Sequence, residues 1–142
     1  MSIVTKSADN IRLLSAAMVE KAKSGHPGGA MGGADFIQIL YSEFLNFDPD
    51  NHKWPFRDRF FLDPGHMSAM LYSQLVLIGS MNIEDIKNFR QWKSVTPGHP
   101  EVDVARGIEN TSGPLGLGHA FGAGAAIAEE FLRARFGAIV EQ

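Results

Sequence analysis

Histidine in this sequence is concentrated next to glycine, in a pattern that could serve one chemical purpose. Four of the five histidines directly follow a glycine, in the pairs Gly25-His26, Gly65-His66, Gly98-His99 and Gly118-His119. Each pair falls at a predicted loop or helix start, where backbone N–H groups are free to bind an anion. Imidazole can donate, accept or exchange a proton near neutral pH. The pattern predicts a pocket that binds a phosphorylated ligand and moves protons.

Each histidine also has an explanation that needs no chemistry. His26, which precedes a proline, could fill a tight turn, and His66 could lie beside a helix cap. His99 stands between two prolines and could belong to a plain loop. His119 is surrounded by small residues of a predicted helix, which favours packing, and His52 is predicted to be exposed. A metal site is a weaker explanation, because the sequence has no HxxxH or HxH spacing and no cysteine.

Glycines are densest around His26. Five of the nine residues from 25 to 33 are glycine, and glycine loses more backbone freedom on folding than any other residue, so a close backbone approach is expected there. A second cluster, at positions 116, 118 and 122, approximates a dinucleotide-binding loop. Phe121 stands where the third glycine of GxGxxG belongs, so close helix packing is favoured and a dinucleotide-binding module is the weakest alternative.

The composition is that of a single globular domain. The chain has 142 residues, of which 44% are hydrophobic and 20% charged, and its net charge is −3. This balance argues against a disordered chain and against a basic face for nucleic acid. The first residues lack the apolar segment of a signal peptide, no apolar run is long enough to span a bilayer, and no cysteine is available for disulfides or nucleophilic catalysis. We expect a cytoplasmic protein without membrane or nucleic-acid partners.

Hydrophobic spacing predicts several helices and few strands. Helices are expected at residues 8–23, with Ser7 as the cap, and at 34–45, 66–78, 82–89 and 117–135. An apolar run at 60–62 and a segment near Ile108 are predicted as strands, with loops at 46–58 and 92–114. The order of strand and helix favours an α/β fold, a parallel sheet flanked by helices. Two strands are too few for these helices, so the sheet is predicted to be incomplete.

Four segments, in this order, resemble one enzyme family. They read KSGHPGGAMGGADF, RDRFFLDPGHMSAMLYS, NFRQWKSVTPGHPE and ENTSGPLGLGHAFGAGAAIAEE. In these motifs the chain is similar to transketolases, from about residue 8 onwards. The resemblance implies that residues 1–142 are the N-terminal portion of a thiamine diphosphate-binding domain. It also implies transfer of a two-carbon ketol unit between sugar phosphates, with thiamine diphosphate and a divalent metal (Mg or Ca) as cofactors.

The resemblance assigns roles to residues of three loops. His66 is expected near the diphosphate of the cofactor. Gly113, Pro114 and Leu115 are expected to lie against the cofactor rings, through backbone contacts and the leucine side chain. His26 and His99 are expected near the carbonyl and hydroxyl oxygens of the substrate, as catalytic residues for proton transfer and hydrogen bonding.

The sequence departs from the family pattern beside these loops. Leu117 stands where glutamine is usual, His119 replaces an apolar residue, and Met67 replaces a smaller one. Each of these side chains could narrow or reshape the predicted pocket.

A further departure concerns the metal. The family's Gly-Asp-Gly metal motif does not occur in residues 1–142, and neither does the domain whose glutamate activates the cofactor. Metal ligands are therefore expected outside this chain, which should be inactive alone and act within a complete enzyme, as a homodimer or with a C-terminal transketolase part. The alternative is a non-catalytic assembly or remnant binding module that a C-terminal partner completes.

Overall fold

A serine cap determines where the first helix begins. The computed structural model describes residues 2–137. Helix α1 spans Ile3–Ala22, and the Ser2 side chain accepts a hydrogen bond from the backbone N–H of Thr5 at 3.2 Å. The predicted start at residue 8 with Ser7 as cap is wrong, because Ser2 already satisfies the helix N-terminus more than a turn earlier. The buried face of α1 has the expected helical spacing and consists of Ala8, Ile11, Ser15 and Met18.

Two short helices follow α1. Helix α2 spans Pro27–Gly32 and has proline at its first position, where the missing N–H is not needed. Sequence reasoning did not predict this helix, because its glycines are poor helix formers. Helix α3 spans Ala34–Ile39 and continues as a π-helical turn over Leu40–Phe44. The helix predicted at 34–45 is confirmed within one residue.

Helix α4 lies at the centre of the core. It spans Ser68–Leu77, directly after a 3₁₀ turn at Gly65–Met67, and all of its residues from 68 to 75 are buried. Helices α1, α2 and α3 pack against it. Tyr72 and Leu75 have no exposed surface, and burial of one such side chain contributes roughly 1.5–3 kcal/mol. The chain is therefore organised around the helix that follows the Gly65-His66 pair.

The glycine-rich segment allows α2 to lie close to the beginning of α4. A Cβ atom at Gly29 would lie 2.9 Å from Cγ of Met67, and a Cβ atom at Gly33 would lie 2.6 Å from Sδ of Met70. Any side chain at these two positions would overlap the methionines. The expectation of a close approach around His26 is thus confirmed, and the neighbours are methionines of the His66 segment.

The predicted strand at residues 60–62 is wrong. Among residues 2–137 there is no β-ladder, and the bridge between Asp103 and Ile108 is isolated. A strand needs a neighbouring backbone, but Leu62 is paired by a side chain: its N–H donates to Asn110 Oδ1 at 3.0 Å, and its carbonyl accepts from Asn110 Nδ2 at 3.3 Å. The described residues therefore supply the helices of the predicted α/β fold but not its parallel sheet.

The remaining helices are less enclosed. Helix α5 spans Ile83–Ile86, where Asn82 forms the predicted N-cap, but it ends before the expected position 89. A 3₁₀ turn at Val104–Arg106 precedes helix α6, which spans Leu117–Phe136 and buries only Gly118. The prediction of a helix at 117–135 is confirmed. Within the described part of the chain, no helix is both long and apolar enough to cross a membrane.

Candidate functional site

Two of the predicted site histidines lie side by side. His26 directly precedes α2, and His66 lies in the 3₁₀ turn before α4. Their ring centroids are 4.8 Å apart with the planes tilted by 43°. His26 is exposed and His66 is half-buried, so both rings remain accessible to a ligand. The approach of α2 to the beginning of α4 brings them together.

The loop that carries His99 is held against α4. Ser68 Oγ donates a hydrogen bond to the Gly98 carbonyl at 2.7 Å, and Tyr72 OH donates to the Pro97 carbonyl at 2.8 Å. Ser68 and Tyr72 are one helical turn apart, so both point along the same face of α4. Since Ser68 follows His66 by two residues, these bonds bring His99 towards the other two histidines.

The pKa of His99 reflects this neighbourhood. Desolvation of the ring lowers the pKa of His99 below its usual value, and electrostatic repulsion from Arg90, His26 and His66 lowers it further. The residue as a whole still keeps much of its surface exposed. The structure thus brings the three imidazoles into one electrostatic environment in which His99 tends to stay neutral.

The Gly-Pro-Leu segment borders the same region. A Cβ atom at Gly65 would lie 2.7 Å from Oγ of Ser112 and 3.1 Å from the backbone nitrogen of Gly113, so the His66 turn and this segment touch through backbone. The Ser112 N–H also donates to the Pro100 carbonyl at 3.0 Å. The loops that carry His66, His99 and Gly113 therefore meet.

This segment has exposed apolar groups and a polar group without a hydrogen-bond partner among the described residues. Leu115 is 75% exposed, and a Cβ atom at Gly113 would have no neighbour within 4 Å. Pro114 is exposed. Oγ of Ser112 is buried without a hydrogen-bond partner among the described residues. An unpartnered hydroxyl, a bare glycine and an exposed leucine suit a ligand that has both a polar and a flat apolar part.

The three departures from the family pattern have different structural outcomes. Met67 packs against Gly29 of α2, so it fills the space between helices. Leu117, at the start of α6, is half-buried. Nδ1 of His119 hydrogen-bonds the Asp63 carboxylate, and 81% of the His119 side-chain surface is exposed. The expectation that His119 serves packing is therefore wrong.

Asp63 also determines how α6 begins. Its carboxylate accepts the backbone N–H of Gly116 at 3.0 and 3.2 Å, and only 6% of its side-chain surface is exposed. A carboxylate at a helix N-terminus satisfies a free N–H and interacts favourably with the helix dipole. Sequence reasoning missed Asp63, because its partners are more than fifty residues away along the chain.

His52 lies apart from the site. It is half-buried, and its Nε2 hydrogen-bonds Ser80 Oγ at 2.6 Å. Desolvation lowers the pKa of His52, and the Arg57 guanidinium lowers it further, while Asp48, Glu109 and Asp50 act in the opposite direction. The prediction that His52 is exposed is wrong, because its hydrogen bond to Ser80 holds the ring in a half-buried position.

No metal centre is evident in residues 2–137. No group of three or more His, Asp or Glu side chains among them is arranged to hold an ion. A cavity of about 650 Å³ beside the site is lined by residues 90–95, 97 and 101–103 and includes none of the three histidines. The three histidines thus form an open face. Their ring nitrogens can donate and accept hydrogen bonds with an anionic ligand, but they are not grouped with carboxylates that could bind a metal.

Known proteins are similar in sequence to almost the whole chain. A family model described as "Transketolase, thiamine diphosphate binding domain" matches residues 3–140. The transketolase of a Nostoc species is 50% identical over 96% of this chain and 21% of its own length, and transketolase 1 of Escherichia coli is 51% identical with the same coverage. The chain therefore belongs to the transketolase family.

Solved structures agree in fold. A transketolase from Leishmania mexicana has a TM-score of 0.88 and 44% identity, and covers 96% of this chain and 20% of its own. A transketolase from Pichia stipitis in complex with sedoheptulose-7-phosphate has a TM-score of 0.89 at 44% identity, over 94% of this chain. These similarities support a thiamine diphosphate-binding fold. The chain spans about one fifth of the length of the relatives it matches.

Proposed function

We propose that this chain forms the N-terminal part of a transketolase diphosphate-binding domain and contributes one wall of its active site. The complete enzyme would transfer a two-carbon ketol unit between sugar phosphates. The adjacency of His26 and His66, with ring centroids 4.8 Å apart beside the Gly113 loop, is the observation that carries the proposal. Family membership supports the same reaction.

Thiamine diphosphate fits the groups on this wall. His66 offers a ring nitrogen to the diphosphate, and the Gly65-His66 turn adds backbone N–H groups. The open backbone at Gly113, the ring of Pro114 and the exposed side chain of Leu115 would contact the flat rings of the cofactor and keep water from them. When bound, the cofactor supplies the carbanion chemistry that protein side chains lack.

His26 and His99 are proposed to act on the substrate. Both rings are accessible, and the lowered pKa of His99 keeps its imidazole neutral near pH 7, so that it can accept a proton. His26 beside it would donate a hydrogen bond to a substrate oxygen. Such general acid–base steps typically contribute about 10²- to 10⁴-fold. A related Pichia stipitis transketolase is complexed with a sugar phosphate, and we propose the same class of substrate here.

The metal and the rest of the active site are proposed to come from elsewhere. A Mg or Ca ion binds six or more oxygen ligands, and residues 2–137 present no cluster of that kind. We propose that these ligands, the parallel sheet and a second wall come from a further transketolase part or from a second subunit of a homodimer. The chain alone should then show no transketolase turnover. A cytoplasmic location stays a prediction.

Nuclear magnetic resonance of the 142-residue chain tests the assignment of His66. Thiamine diphosphate, added up to the millimolar range, should shift the imidazole signals of His66 and the amide of Gly113 and leave His52 unchanged. Thiamine without its diphosphate should shift Gly113 more than His66. His66→Asn should weaken binding, whereas the matched variant His52→Asn should not. Binding that is equal in both variants would refute the role of His66.

A non-catalytic assembly role is a second candidate, supported by the exposure of α6. Its exposed apolar side chains are Phe121, Ile127, Phe131, Leu132 and Phe136, and apolar surface of this extent is typical of interaction sites. The chain would then associate with itself or with a C-terminal partner whether or not thiamine diphosphate is present. Analytical ultracentrifugation should show association that Phe131→Ser reduces and that the control Leu13→Ser, on α1, does not. A monomer at all concentrations, with no binding to a C-terminal transketolase part, would count against it.

A further inference from the structure

Arg90 lies between the two loops that carry the proposed catalytic histidines. Its Nη1 donates a hydrogen bond to Ser24 Oγ at 3.0 Å, two residues before His26. Its backbone N–H donates to the Thr96 carbonyl at 3.0 Å, three residues before His99. One residue thus binds both loops, which are more than sixty positions apart along the chain.

The guanidinium of Arg90 also occupies the space beside Gly98. A Cβ atom at Gly98 would lie 2.6 Å from Arg90 Nε and 2.7 Å from its Cζ. Glycine at this position therefore lets the arginine lie flat against the backbone next to His99. Nε is buried there without a hydrogen-bond partner among the described residues, so packing against Gly98 and the Nη1 bond to Ser24 hold the side chain in place.

Phe89 contacts both Gly25 of the His26 loop and the guanidinium of Arg90. A Cβ atom at Gly25 would lie 3.3 Å from Cε1 of Phe89, and the Arg90 guanidinium lies 5.7 Å from the centroid of that ring. The backbone of Arg90 is left-handed, with φ of 61°. Non-glycine residues in this conformation persist where the surroundings determine it. Here the surroundings are the two histidine loops.

We propose that Arg90 is a positioning residue that ties the His26 loop to the His99 loop and fixes the spacing of the two histidines. This inference rests on the proposed function and adds to it a residue that touches neither the cofactor nor the reacting atoms. The guanidinium also favours the neutral form of His99. After desolvation, it is the largest cause of the lowered pKa of His99, ahead of His26 and His66.

Imidazole titration in the 142-residue chain, without any cofactor, tests the proposal. Arg90→Met removes the charge and the bond to Ser24, so the pKa of His99 should rise towards its usual value. Amide hydrogen exchange at Ser24, whose N–H donates to the Val19 carbonyl at 3.3 Å, should become faster in the same variant. The matched control is Lys93→Met, which removes a nearby charge that does not act on His99, and it should change neither quantity.

A second variant keeps the test decisive if Arg90→Met fails to fold. Arg90→Lys keeps the charge but cannot pack flat against Gly98 and reach Ser24 together. It should speed exchange at Ser24 and leave the pKa of His99 lowered. A folded Arg90→Met chain with an unchanged pKa of His99, or unchanged exchange at Ser24 in both variants, would overturn the inference. Because no cofactor is present, either result is independent of whether His66 binds thiamine diphosphate.

Discussion

The contact between α6 and the segment before His66 leaves no room for a side chain at position 118. A Cβ atom at Gly118 would lie 2.5 Å from the Leu62 carbonyl oxygen and 2.6 Å from Cβ of Asp63. Backbone atoms cannot rotate away, so Gly118→Ala must push the start of α6 off this segment. The hydrogen bond from the Gly116 N–H to the Asp63 carboxylate would also be lost.

The magnitude follows from two destabilising contributions and one stabilising contribution. Overpacking costs about 1–3 kcal/mol, and loss of a hydrogen bond to a charged group costs roughly 1.5–3 kcal/mol. Alanine gains about 1 kcal/mol over glycine in a helix. We expect Gly118→Ala to lower the free energy of unfolding by roughly 1.5–5 kcal/mol when these contributions combine.

Another glycine of the same helix provides the control. A Cβ atom at Gly124 would meet nothing within 4 Å, so Gly124→Ala should keep the gain in helix propensity, about 0.5–1 kcal/mol. Urea denaturation followed by tryptophan fluorescence and by far-UV circular dichroism measures both variants. Equal stability of Gly118→Ala and Gly124→Ala would show that α6 does not rest on this segment.

Three further outcomes are expected. In the native chain Arg57 donates two hydrogen bonds to the buried Glu109 carboxylate, at 2.7 and 3.0 Å. Arg57→Met removes both bonds and should lower the free energy of unfolding by about 3–5 kcal/mol. Urea denaturation measures this loss, with Lys87→Met, which breaks an exposed ion pair, as the control. Folding lowers the pKa of both His52 and His99, so the unfolded chain binds more protons than the folded chain at low pH. The free energy of unfolding should therefore be highest above the usual histidine pKa and decrease as the pH falls below it. In His52→Gln this decrease should be less steep. Gly65→Ala, whose Cβ would lie 2.7 Å from a buried hydroxyl, should displace the Gly113 loop and weaken thiamine diphosphate binding in a titration, whereas equal binding would argue against the contact.

Much of the helical structure could be predicted from sequence. The apolar spacing of α3, α4 and α6 requires only local information. With the π-helical turn counted as part of α3, these three helices begin and end within a few residues of their predicted positions. The end of α1 follows the prediction and its start does not, because the choice between Ser2 and Ser7 depends on which serine side chain reaches a free N–H. Helix α2 was missed since its stability comes from packing against α4 and not from propensity.

Some residues of the candidate site could also be predicted from the sequence, and others could not. Glycine-histidine pairs and the Gly-Pro-Leu motif identify His26, His66, His99 and the 113–115 loop by local pattern, and their roles remain predictions. The sequence does not reveal Arg90 and Asp63, which connect these loops. Both act through hydrogen bonds to residues more than fifty positions away.

Local residue types by themselves determined most of the helices, the family and the loops on which chemistry is proposed. Only the tertiary structure decided that Asn110 occupies the place of a neighbouring strand at Leu62, and that one arginine joins two histidine loops. The physical reason is that helical periodicity depends on residues three and four positions apart, whereas a hydrogen bond between distant segments exists only once packing has brought them together.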